Sequence, residues 1–458
     1  MKKAMLTDNA LHYTLSHLLK VAFPMPEPVR FTFSVKEHGV EVCLAEKHVV
    51  EIARFSDEDL VMFRSGKGHA LLHNLKSADG QTEIPLFAPT FQHERLDITL
   101  EDNRLKIPFD LITPAFLLLS RDEETRRDNR DAHDRFRYEG SLAQHYGFIL
   151  LPLVDEYAML LRKWVLEQLK TDWTISQRTP HLIPTHDIDL LHRFHSPLQA
   201  FKSIVGRDLL LEHNWKAAQN SFREYKQWRK NPQEDPYISA IQELANISKE
   251  NNLNPIFFSK AQMPGERDFQ YSIEEPQLSQ CLRALWDMGI QIGLHGSYDS
   301  YDNAELFIRE KERLEKCSGG PVTCARQHYL RYSAHPNPPK DSTLQLWQKA
   351  GIQDDYTLGY AEQPGFRCGT CHPYPLYDTE QDCATHIIEH PLIVMDGSLI
   401  DYLHLNISNS NALIERLRQR CNAVEGDFVI LWHNHLLSRS YRELFENIYL
   451  SLIKRYKP

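Results

Sequence analysis

The sequence predicts an α/β protein, a parallel β/α barrel preceded by a smaller α+β domain. Three observations carry the prediction. The pattern changes near residue 180: short alternating runs precede it, and apolar strands alternating with amphipathic helices follow it. The length, 458 residues, exceeds the roughly 250 of a typical β/α barrel and leaves room for a separate domain. The composition, 42% hydrophobic and 25% charged, is that of an ordinary globular chain and sets aside disorder and fibrous architectures.

In the first part, VRFTFSVK (Val29 to Lys36) and LDITLEDNRLKIP (Leu96 to Pro108) alternate as half-buried antiparallel strands do. Helical patterns follow at FDLITPAFLLLSRDEE and VDEYAMLLRKWVLEQL, the second leading into the next domain. This gives an α+β domain over 1–175 and a barrel over 176–458. Within the barrel, HLIPTHDID is followed by helix starts at Ser196-Pro197 and Asp235-Pro236, each an N-cap residue and then proline. These place a helical insertion near 196–250. NPIFFSK precedes QLSQCLRALWDMG, with Gly289 where a C-cap is expected. IQIGLHG, CARQHYLRY and DFVILWHNH each precede a further helical pattern. Repeated strand–helix units imply a parallel sheet, closed or partly closed into a barrel.

Charge and hydropathy narrow the function classes. With 62 Asp and Glu against 52 Lys and Arg, a formal charge of −10, nonspecific binding along nucleic acid is not expected. After MKK, Asp8, Asn9, His12, His17 and Lys20 interrupt any leader-like apolar core. The most apolar stretch, Phe148 to Val154, is far short of a membrane span. A cytoplasmic location and eight reduced cysteines are the expectation.

In a β/α barrel the chemistry gathers where strands end. Here the first strand ends in Thr185-His186-Asp187-Ile188-Asp189, the third in Leu294-His295-Gly296-Ser297, the fourth in Arg326-Gln327-His328, and the last in Trp432-His433-Asn434-His435. Asp187 and Asp189, two apart on a strand, point the same way, and two close carboxylates repel unless a cation lies beside them. One carboxylate with imidazoles suits Zn²⁺ or a similar divalent ion, leaving the other to accept a proton from water.

These motifs, in this order, resemble the polysaccharide deacetylases of carbohydrate esterase family 4. THDID is similar to that family's first motif in its Asp-x-Asp form, IGLHGSYDS to its histidine motif, ARQHYLRY to its arginine motif and VILWHN to its final Leu-x-His motif. The segment DYTLGYAEQPGFRCGTCHPYPLYD is similar to the stretch between the last two. The part before residue 180 resembles an accessory domain found ahead of such barrels in a bacterial subgroup. The resemblance implies a distorted β/α barrel and a metal-dependent amide hydrolase. It implies Asp187 as general base, Asp189 and His295 as metal ligands, and His433 as general acid. It also implies a backbone N–H near Tyr329 on the oxyanion and Arg326 orienting Asp187, with Arg331 and Arg367 as alternatives. Asp355 is the implied partner of the acid. The substrate class it implies is an N-acetylated sugar or glycan intermediate of bacterial surface polysaccharide metabolism, with Zn²⁺ as cofactor.

One departure stands out. The family's second histidine, four residues after His295, is replaced by Asp299, so the third ligand is either Asp299 or His328 from the next strand. Two further readings stay open: hydrolysis of a small non-sugar or cyclic amide with the same base, acid and metal, and a non-catalytic glycan-binding protein or scaffold with a degraded metal site. Cys368-Gly-Thr-Cys371-His372 spells a haem-attachment pattern but reads as two loop thiols, because no second CxxC completes a zinc site. The basic, aromatic stretch from Arg193 to Lys230 reads as a solvated face whose aromatics pack on the barrel; peripheral membrane contact is the less favoured alternative. No membrane-spanning segment and no nucleic-acid partner are expected.

Overall fold

The computed structural model describes residues 6–67, 70–90, 96–126, 128–211, 213–232, 234–334, 340–438 and 441–456. The chain gathers into two compact units. One comprises Met1–His181, Leu358–Ile393 and Glu415–Phe428; the other comprises Leu182–Thr357, Val394–Ile414 and Val429–Pro458. Among the described residues, no helix is long and apolar enough to cross a membrane.

The first unit is α+β. Strands β1 (Phe31–Val35), β2 (Gly39–Leu44), β3 (His48–Ala53), β6 (Thr99–Glu101) and β7 (Arg104–Ile107) form a sheet of order β1-β2-β3-β7-β6. Both hairpin-forming runs of the sequence are in it, and β6 turns into β7 through Asp102 and Asn103. Both have positive φ, at 51° and 61°, a conformation that Asp and Asn tolerate better than other side chains with a Cβ. Strands β4 (Ala70–Lys76) and β5 (Glu83–Phe87) pair separately, and β13 (Tyr374–Asp378) pairs with β14 (Cys383–Glu389) as an antiparallel hairpin. Helix Ile112–Leu119 is apolar on every face and accordingly buried on every face. Helix Leu153–Leu169 ends at Lys170 in the left-handed region.

The second unit is the β/α part. Strands β8 (Leu182–Ile188), β9 (Ile256–Ser259), β10 (Gln291–Gly296), β11 (Cys324–Gln327), β12 (Asp354–Asp355) and β16 (Phe428–Leu431) run in the order β12-β11-β10-β9-β8-β16. The pairs from β8 to β12 are all parallel. The order is linear, so the sheet is an open half-barrel. Each crossover carries a helix that starts and stops where local chemistry dictates. Ser196 caps Pro197–Phe201 through Gln199 N, and Asp235 caps Pro236–Glu250 through Tyr237 N. Gly289 follows helix Pro276–Asp287 at φ 67°. Ser342 and Gln345 form a capping box on Thr343–Ala350.

Pairing register sets the site. Ile188, Ser259, Leu294 and Ala325 lie in one row across four strands. One residue further along each strand come Asp189, Lys260, His295 and Arg326, so these four fall in the next row. Gly296 follows because a Cβ there would collide with the Gln327 amide.

Behind His295, Glu310 on helix Ala304–Ser318 is buried, and its Oε2 accepts the backbone N–H of Ser297 at 3.1 Å. Burial pushes its carboxyl up to about 7. The folded state therefore holds a proton that the unfolded chain has released. This group costs stability progressively as pH rises from the unfolded carboxyl value to about 7, by about 3 kcal/mol in all. Glu310→Gln is expected to flatten that slope, read by urea unfolding at about pH 5 and about pH 8.

The insertion between β8 and β9 holds helix Pro197–Phe201, its wide-turn π continuation Lys202–Leu211, helix Trp215–Lys230 and helix Pro236–Glu250. Trp228 packs on Phe194 and Tyr225 with ring centroids 5.7 and 5.9 Å away. Phe201, Trp215 and Phe222, by contrast, are exposed. The expectation that the aromatics of this stretch pack on the barrel is corrected for those three. Helical periodicity fixes which residues share a face and leaves open whether anything covers it.

Candidate functional site

Strand alternation builds the first half of the site. On β8, His186 points one way and Asp187 the other, with Asp189 on the side of Asp187. His186 is buried, donates from Nδ1 to Trp432 O at 2.8 Å and receives the Tyr449 hydroxyl at Nε2. Burial holds it neutral, with its pKa down to about 4, so it is a core histidine.

Asp187 faces inward. Arg326, fully buried, donates from Nη1 to Asp187 Oδ1 and to Thr185 Oγ1, each at 2.9 Å, and from Nε to Tyr356 O. Burial alone would raise the Asp187 carboxyl, but Arg326, then His295 and His433, hold it below the usual carboxylate value. The alternatives to Arg326 are engaged elsewhere. Arg331 lies over the rings of Tyr298 and Tyr301, at 4.1 and 3.6 Å. Arg367, in the first unit, makes a bidentate pair with Glu124.

Asp189 is the hub. Its Oδ1 lies 3.2 Å from His295 Nε2, 3.5 Å from His328 Nε2 and 3.8 Å from Lys260 Nζ; its Oδ2 lies 3.4 Å from His433 Nε2. Burial opposes its charge, yet His328 and Lys260 hold the carboxyl well below its ordinary value. Each of the three imidazoles is anchored through its other nitrogen. His295 Nδ1 is 3.0 Å from Arg326 O, His328 Nδ1 contacts the Asp268 carboxylate, and His433 Nδ1 is 2.7 Å from Asp396 Oδ1.

The donor set fits a divalent cation. In its neutral form, with Nδ1–H given to a carbonyl, His295 turns the Nε2 lone pair toward Asp189 Oδ1. Both atoms are buried and neither completes a hydrogen bond. Two acceptors facing each other are costly without a positive charge between them. The ligating atoms of Asp189, His295 and His328 all lie within 4.8 Å of one another. Carbonyl or carboxylate anchoring of the second ring nitrogen is the usual support of metal-binding histidines. Asp299 is not in this group and lies exposed on the turn after His295, while His328 is brought in from β11.

One residue is placed otherwise than the sequence suggested. Asp355 is not the partner of His433. It is buried and accepts from Thr357 N and Oγ1 at 3.1 and 2.6 Å, and Asp396 takes its place, also accepting the His433 backbone N–H. Tyr329 sits directly after His328 at φ 60°, followed by Leu330 at φ 56°. Two successive left-handed residues without glycine mark a strained turn at the mouth of the site.

Three residues that contact the cluster escaped the sequence reading: Lys260, Asp268 and Asp396. Lys260 and Asp396 each directly follow a strand, β9 and β15 (Leu392–Met395), so the strand-end rule applied to every strand finds them. Asp268 lies in an irregular segment, at φ 68°, and carries no such signal. Cys368 and Cys371 are free, buried thiols, Cys371 lying 3.3 Å from Asp155 Oδ2.

Residues 4–170 match the model of a family of unknown function, DUF7033. No curated protein matches the sequence. Among solved structures the chain is similar to a Mycobacterium smegmatis protein assigned as a polysaccharide deacetylase, with 18% identity and a TM-score of 0.37 over 63% of this chain and 87% of that one. It is similar also to Puue allantoinase, with 11% identity and a TM-score of 0.35 over 63% and 93% of the two chains. A family 4 carbohydrate esterase from Streptomyces lividans, solved with acetate, shows 13% identity and a TM-score of 0.28 over 60% and 88%.

Proposed function

We propose that the chain is a metal-dependent amide hydrolase that de-N-acetylates an N-acetylated sugar in bacterial surface polysaccharide metabolism. One observation carries the reading. Two ionisable groups flank Asp189, one held anionic and one held cationic: Asp187 by Arg326, and His433 by Asp396. Environments that push an acid and a base apart in this way assign their roles.

Asp187 Oδ1 is committed to Arg326, so Oδ2, 3.6 Å from His295 Nε2, is the atom that takes a proton from water. Arg326 keeps the carboxylate ionised throughout the working range, which secures its base form at some loss of basicity. Asp189, His295 and His328 would hold the ion, with zinc favoured by the nitrogen and carboxylate donors. When bound, the ion supplies a Lewis acid that polarises an amide carbonyl and acidifies water. His433 Nε2–H, oriented by Asp396 at Nδ1, delivers its proton to the departing nitrogen.

Acetate release from N-acetylated sugar donors by the zinc-loaded chain tests the reading. Asp187→Asn and His433→Ala should each lower kcat/KM by about 10²–10⁴. Release that survives both substitutions overturns the mechanism. Ring-opening hydrolysis of a small cyclic amide, with no acetate released from any sugar donor, overturns the substrate class.

A further inference from the structure

We propose that the helical insertion after β8 is a docking face for an anionic lipid surface. This inference does not depend on the amide-hydrolase reading. Large apolar side chains scattered singly over a protein surface need no explanation, but a cluster does. Leu198, Phe201, Leu210, Leu211, Trp215 and Phe222 all stand exposed within 25 residues, and Leu198, Leu211 and Trp215 reach 65%, 75% and 64%. Trp215 and Phe222, seven apart, share one face of helix Trp215–Lys230 with Lys226 and Arg229 further along it. The Lys226 ammonium lies 4.6 Å over the Phe222 ring.

Charge identifies the partner. Residues 196–230 carry seven Lys and Arg against three Asp and Glu, within a chain of formal charge −10. The acids whose placement is described turn inward. Asp208 is buried and takes the Ser221 hydroxyl, and Glu224 pairs with buried Arg193 at 3.0 Å. Lys202, Arg207, Lys216, Arg223, Lys226, Arg229 and Lys230 are exposed. Arg193 also donates to Ser221 and to Ser438, which fastens the basic helix to the end of the β/α unit. The surface is thus apolar anchors interleaved with outward cations, while the negative charge of Asp208 and Glu224 is spent internally. A soluble partner would need carboxylates placed against each cation in register. A plane of anionic headgroups supplies negative charge at every position and receives Leu, Phe and Trp side chains at the acyl boundary, as interfacial helices do.

The experiment is sedimentation of the full chain with vesicles of phosphatidylcholine alone and of phosphatidylcholine mixed with phosphatidylglycerol. The chain should partition onto the mixed vesicles only and be released by salt. The double substitution Lys216→Ser/Arg223→Ser should lower partitioning by about tenfold or more, and Phe201→Ser/Trp215→Ser should abolish it. Both pairs are exposed, and unchanged circular dichroism checks the fold. Trp215→Phe should still sediment but lose most of the quenching that brominated lipid causes in the unaltered chain. Absence of sedimentation, or serine variants that bind unchanged, overturns the proposal. So does self-association without vesicles that Trp215→Ser relieves, which would assign the face to a second copy.

Discussion

A chain carrying His328→Ala is expected to bind Zn²⁺ more than about a hundredfold more weakly than the unaltered chain, and Asp299→Ala to bind it as the unaltered chain does. The two residues were equivalent candidates as a third ligand, and the fold separates them. His328 leaves β11 with Nδ1 on Asp268 and Nε2 3.5 Å from Asp189 Oδ1, so its lone pair converges on the same point as that of His295. Asp299, four residues past His295, is carried out to solvent by the turn. Calorimetric titration against a competing chelator measures both variants. Asp268→Asn should fall between them, weakening binding about 10–100-fold, because it loosens the ring without removing a ligand. Loss confined to Asp299→Ala would restore the ligand set with two residues of one turn.

What the sequence made legible follows from periodicity. A strand period of two fixes that Asp187 and Asp189 share a side, whereas the register that aligns Asp189 with His295 and Arg326 is set by the folded sheet. The caps at Ser196 and Asp235 were legible because their chemistry is local. The partner of His433 was not, since Asp355 and Asp396 both sit at strand ends and only tertiary placement chooses between them. Lys260 was in plain view at the end of NPIFFSK, yet an apolar strand ending in lysine reads equally as a solvated end. Asp268 depends on an irregular path that no period describes. The exposure of Phe201, Trp215 and Phe222 was illegible for a different reason: an amphipathic stripe looks the same covered or bare.

Asp396→Asn should move the alkaline limb of the rate profile to lower pH and leave the acid limb in place. Burial by itself would lower the His433 pKa. Asp396, and then Asp189, outweigh burial and raise it well above the ordinary histidine value. The ring therefore keeps its proton through neutrality and loses it only as pH rises past that raised value. Without the Asp396 charge, burial regains weight and the proton leaves earlier, so the variant loses activity at a lower pH than the unaltered chain. The stabilising contribution has the same sign. It is fully present below the unfolded histidine pKa and lost as pH rises through the folded one, so the substitution should also weaken the fold most on the acid side. Asp187, held below its ordinary value by Arg326 once burial is outweighed, stays ionised across this range. NMR titration of the His433 ring in the metal-free chain reads the shift without reference to turnover. Nor can the neighbouring imidazole substitute: burial, followed by the charge of His433, brings His435 down to about 4 and leaves its ring neutral, without the acidic imidazolium proton, at neutral pH. An alkaline limb unmoved in Asp396→Asn would therefore take the proton donor away from the Trp432-His433-Asn434-His435 segment altogether.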